Sequence, residues 1–110
     1  MAIVRAGGSF LARQLYDATM AQGLALFDRA VTAAPGNVAV HYQIALSLAG
    51  FGPNRYRDRM MRELQAAIRS TPATVYEKFV QDRARKLLTL LTGGDRDAFE
   101  KTVRRFQGYP

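Results

Sequence analysis

His41 is the only histidine in the sequence, and cysteine is absent. A single imidazole cannot make a two-histidine metal site, and without thiols there is no cysteine-based zinc site, disulfide or thiolate nucleophile. The serines have no histidine and aspartate spaced to activate them. His41 is therefore expected to be a packed, hydrogen-bonded side chain and not a base. Asp95 and Asp97 look like paired carboxylates, but they follow Gly93-Gly94 and open an apolar-periodic stretch. Capping of a helix and complementation of its dipole explain them better. Gly7-Gly8 and Gly93-Gly94 lack phosphate-loop spacing. Met60 and Met61 fall on an apolar stripe and not in a cofactor box. The expectation is a protein without catalytic residues, metal ligands or cofactor, and not an enzyme.

Arginine is the more informative residue. At about 100° per residue, Arg55, Arg59, Arg62 and Arg69 fall within about 80° of one another on a helix, opposite Tyr56, Met60 and Leu64. Such a face can hold phosphates or an acidic protein segment, or can simply be a solvated helix back. It has no interleaved aromatics, which weighs against single-stranded nucleic acid. Arg83 differs, because its position falls on the side of Tyr76, Phe79, Leu87 and Leu90. Its stem can run along apolar surface, its charge can pair with an acid such as Glu100, or it can anchor a ligand in a groove.

The elements that must place these groups read as helices throughout. Ser9 is a candidate cap, and apolar residues recur at Leu11, Leu15, Tyr16, Met20, Leu24, Phe27 and Val31, giving a helix over 9–34, with a possible break at 17–22. Pro35-Gly36-Asn37 ends it. A second helix covers 38–49 and a third 54–70, whose stripe is Tyr56, Met60, Met61, Leu64, Ala67 and Ile68. Thr71-Pro72 reads as cap and first turn of a fourth over 72–92. Asp95 caps a fifth carrying Phe99, Val103 and Phe106. No segment alternates as a strand does. The expected fold is all-α, about five helices as antiparallel hairpins, in one domain over residues 1–110, with 1–8 a flexible segment that fits a cut end of a longer chain.

The 110 residues carry a net charge of +7. Residues 1–50 contribute +1, and residues 51–110, with 13 basic and 7 acidic side chains, contribute +6. The second half should attract anionic partners. No apolar run approaches the roughly 18 residues needed to cross a bilayer, so no membrane insertion is expected. The start MAIVRAGGSF is not a signal peptide. A soluble protein, cytoplasmic or exported after loss of an unseen leader, fits equally.

Gly23, Phe27, Ala30 and Pro35 have the spacing of a tetratricopeptide repeat: a small residue, an aromatic four later, Ala three after that, and Pro five further on. Leu64, Ala67 and Pro72 repeat part of it, and the two prolines lie 37 residues apart, near the roughly 34-residue period of that family. Over about residues 20–92 the chain resembles a tetratricopeptide-type helical repeat protein. It departs from the pattern where His41 stands for the usual Trp and Ile44-Ala45 for Leu-Gly. The resemblance implies hairpins stacked as a short right-handed superhelix. It also implies a non-catalytic interaction module, or scaffold, whose ligand lies in a groove lined by the first helix of each pair. Carried over, that groove would present Tyr42, Leu46 and Ala49, with Arg83 beside them. Residues that would clamp a terminal carboxylate are missing from helix two. The expected partner is a protein or peptide segment, including a second copy of the chain. The alternative is nucleic acid or another anionic surface held by Arg55, Arg59, Arg62 and Arg69.

Overall fold

A computed structural model describes the backbone of residues 2–108 and the side chains of 17–108. All regular structure there is helical: α1 (Ala2–Ala33), α2 (Val38–Phe51), α3 (Arg57–Arg69), α4 (Val75–Gly93) and α5 (Arg96–Phe106). The chain forms two compact units, Met1–Ala33 and Ala34–Pro110. In the first, α1 passes through 17–22 without interruption. The expected cap at Ser9 lies outside the described side chains, and the backbone is helical on both sides of it. Among the described residues no helix is long and apolar enough to cross a membrane.

The second unit is built around α2. Asn37 caps it, its side chain accepting from the Val40 amide at 3.0 Å. Its sequence, VAVHYQIALSLAGF, is apolar nearly all round, the pattern of a helix with packing on several sides. Its side chains His41, Tyr42, Ile44, Ala45, Leu46 and Leu48 are all buried. α2 packs against α3, α4 and α5, while α3 packs on α4, and α4 on α5.

α3 starts later than the sequence suggests, at Arg57 and not Asn54. Tyr56 is the half-helical residue before it and supplies no side-chain cap. The buried positions Met60, Glu63, Leu64 and Ala67 form the stripe facing its neighbours. Spacings of three and four keep such a stripe on one face.

The start of α4 is also displaced, from Pro72 to Val75. Thr74, not Thr71, is the cap. Its hydroxyl accepts from the Glu77 amide at 3.0 Å, and the Glu77 carboxylate accepts from the Ala73 amide at 2.9 Å. This is the reciprocal logic of a capping box, with two otherwise orphaned N–H groups satisfied. Pro72 ends the preceding turn instead of opening the helix. Gln81 then ties α4 to the end of α3, its amide nitrogen reaching the carbonyls of Ala67, Ile68 and Ser70 at 2.8 to 3.1 Å. These belong to the α3 C-terminal carbonyls that no helical amide can satisfy.

Gly94 turns the chain with φ 77°, a left-handed conformation that only glycine adopts freely. Asp95 caps α5 as expected, accepting from the Ala98 amide at 3.0 Å. Phe99, Thr102 and Val103 are the buried face of α5. Among the described residues α5 packs on α4 and α2 but not on α3. It therefore reaches the α2/α4 layer without packing on α3.

Candidate functional site

Two arrangements bring together chemically active groups. The first is internal. The His41 ring lies between two acceptors: Nδ1 is 2.6 Å from the Glu63 carboxylate and Nε2 is 2.7 Å from the Pro35 carbonyl. Arg59 closes the set, its Nε donating to the other Glu63 oxygen at 2.8 Å. A carbonyl and a carboxylate both accept, so the ring satisfies both only with a hydrogen on each nitrogen. His41 and Glu63 are both buried. The arrangement ties the turn at Pro35 to α2 and α2 to α3. His41 is thus packed and hydrogen-bonded, as its sequence setting suggested.

The second arrangement opens to the surface. A cleft of about 380 Å³ lies between α2, α4 and the end of α5, lined by Tyr42, Leu46, Tyr76, Phe79, Arg83 and Phe106, among others. Arg83 is placed by stacking, its guanidinium carbon 4.4 Å from the centroids of both Phe79 and Phe106. Arginine over an aromatic face is held by the ring quadrupole, most strongly where water is partly excluded. One guanidinium N–H also reaches the Phe106 carbonyl at 3.4 Å. The Arg83–Glu100 pair considered from sequence does not form, because Glu100 bonds Arg96 on its own helix at 3.3 Å. No carboxylate among the described residues pairs with Arg83.

Beside Arg83 is Tyr42. Its side chain is 2% exposed, and its hydroxyl is buried with no hydrogen-bond partner. Burial pushes the phenol above its ordinary pKa, opposed by the nearby Arg83 charge. Arg83 acts on the phenol first as a nearby donor and then as a charge, although the two groups stand too far out of line to count as a made hydrogen bond. An unmade buried hydroxyl bond costs about 1–3 kcal/mol. Tyr42→Phe is therefore expected to leave stability unchanged or raise it by about 1 kcal/mol. The pH dependence has a definite sign. A raised phenol pKa keeps the native state protonated where the unfolded chain has ionised. This stability is full below the ordinary tyrosine pKa and is lost as pH rises through the native one. Urea titrations from neutral pH to above pH ~10 should show the native protein losing more stability than Tyr42→Phe. Parallel losses would refute the assignment.

The four residues of the sequence-based groove divide. Tyr42, Leu46 and Arg83 converge on the cleft. Tyr42 and Leu46, expected on an open wall, are buried instead, because α4 and α5 cover that side of α2. Ala49 lines a different pocket, of about 180 Å³, with Pro53, Phe99 and Val103. What sequence reading missed is the exposed apolar strip leading into the cleft. Val75, Tyr76 and Phe79 are 88%, 55% and 52% exposed.

The arginine face does not form as one surface. Arg55 precedes α3 and lies over the Tyr56 ring at 5.4 Å. Arg59 leans inward to Glu63. Only Arg62 and Arg69 stand on the exposed side of α3. Among the described residues no group of three or more His, Asp or Glu side chains could hold a metal ion. Set against known protein families, curated proteins and solved structures, the chain matches none.

Proposed function

We propose that this protein is a non-catalytic interaction module, a tetratricopeptide-like hairpin stack, and that it binds a protein segment along α4. The observation that carries this reading is the strip Val75, Tyr76 and Phe79, exposed on a helix whose other side is core and continuous with the Arg83 cleft. Clustered exposed aromatics next to an arginine are the composition of interface hot spots. The arginines of α3 support a nucleic-acid reading less well, since Arg59 already has a carboxylate partner.

The test is photo-crosslinking in cells with a benzophenone amino acid at position 79, and at position 78 as the control on another face of the same helix. Adducts with a protein are expected from 79 and not from 78. A second copy of the chain as the adduct would identify self-association. The double substitution Tyr76→Ser with Phe79→Ser should weaken capture by ~30-fold, as for a hot-spot pair worth about 2 kcal/mol. Equal labelling at both positions, or none at 79, counts against the proposal.

A further inference from the structure

We infer that the α2/α4/α5 cleft is a subsite for one side-chain carboxylate, an Asp or Glu of an acidic partner segment that bonds the edge of Arg83 while its apolar neighbours lie on Val75, Tyr76 and Phe79. This rests on the reading of α4 as a segment-binding helix and names the chemistry of the segment.

A guanidinium has five N–H donors in its plane. The rings of Phe79 and Phe106 cover its two faces, and one N–H goes to the Phe106 carbonyl. None of the remaining donors meets a carboxylate among the described residues, and the group beside them is the buried Tyr42 hydroxyl. Two backbone carbonyls near the cleft are engaged, Leu46 with Gln107 Nε2 at 3.3 Å and Gln43 with the Ser47 hydroxyl at 2.9 Å. A stacked guanidinium can only donate, so the group it selects is an acceptor, and no carboxylate of the described residues fills that role. The stacked, flat guanidinium presents the edge that a carboxylate meets with two parallel bonds.

Charge selects within that class. Among the described residues Arg83 is the only charged one lining the cleft, which suits a singly charged carboxylate better than a phosphate dianion. The surrounding chain is strongly basic, with 13 basic and 7 acidic side chains in residues 51–110. Such a field favours a segment with acidic side chains of its own over an otherwise neutral chain end.

The experiment is an NMR titration of the full chain, following the Arg83 Nε–H and the amides of residues 42, 79 and 106. The probes are blocked peptides, acetyl-Leu-Asp-Leu-amide and its Asn counterpart, with acetyl-Leu-Leu bearing a free terminal carboxylate and inorganic phosphate as the other arms. Saturable shifts are expected with the Asp peptide, with affinity at least ~10-fold weaker for Asn, one lost charge-assisted bond. This comparison uses the unmutated protein, so it does not depend on how a variant folds. Arg83→Gln should abolish the Asp preference, and Arg62→Gln should retain it. Equal binding of the Asp and Asn peptides, preference for the terminal carboxylate or for phosphate, or no shift at Arg83 would overturn the inference. Crosslinking at position 79 that is lost in the Tyr76/Phe79 variant but unchanged by Arg83→Gln would leave the interaction module standing and remove the carboxylate subsite. Asp-selective binding without any adduct at 79 would do the reverse.

Discussion

Replacing Glu63 by Ala is expected to lower the unfolding free energy by about 3–5 kcal/mol, the range for removing one member of a buried charged set. Glu63 is 5% exposed and holds both His41, at 2.6 Å, and Arg59, at 2.8 Å. Without it, the Nδ1 of a buried ring loses its acceptor and Arg59 loses one of its contacts. The loss is larger than the set's net contribution, because the buried ring is left without that partner in a poorly solvated place. Glu63→Gln keeps one oxygen and one donor of similar shape, so its cost should be smaller. Joint replacement by apolar residues, Glu63→Leu with His41→Phe, should cost less than the two single changes added together. Urea denaturation of the four proteins measures the cycle. A Glu63→Ala cost below about 1 kcal/mol would mean that water reaches these groups and that they do not lock α2 to α3.

Much of this was open to reading in the sequence, and the misses have specific causes. All five helices follow from apolar periodicity, and the cap at Asp95 from one carboxylate after a glycine pair. The start of α4 was misplaced because Thr71-Pro72 competes with Thr74-Val75-Tyr76-Glu77. The second string holds the Thr-x-x-Glu spacing in which each side chain satisfies a backbone donor, and it prevails. Glu63 is charged, and charge alone argues for the surface. Its spacing from Met60, Leu64 and Ala67 already placed it in the buried stripe, beside the one histidine that needed a partner.

The cleft was less legible for a different reason. A stripe such as Phe99, Val103 and Phe106 tells which face of α5 is covered, but not by which helix. That choice rests on long-range packing against α2 and α4. The stacking of Arg83 between Phe79 and Phe106 depends on it, because those aromatics are 27 residues apart and meet only once α5 has packed. Sequence gave the inward arginine; the fold alone supplied its second ring.

Leu64→Ala is the other large effect, an expected loss of about 2–5 kcal/mol. Leu64 is 1% exposed on the face of α3 that packs against α2 and α4. The cost of a cavity depends on how far the walls can relax into it. Here they are held. Gln81 pins α4 to the last carbonyls of α3, and Glu63 pins α3 to His41 of α2, one residue before Leu64 in the chain. The upper half of the range is therefore expected. Function should separate from stability in the same variant, since no residue of α3 lines the Arg83 cleft. Under conditions where Leu64→Ala remains folded, the Asp-peptide titration should give the same affinity as the native protein within about twofold, less than 0.5 kcal/mol. A matching loss of affinity and stability would show instead that the cleft depends on the packing of α3, and that the α2/α4 layer with α5 packed on it does not hold Arg83 in place by itself.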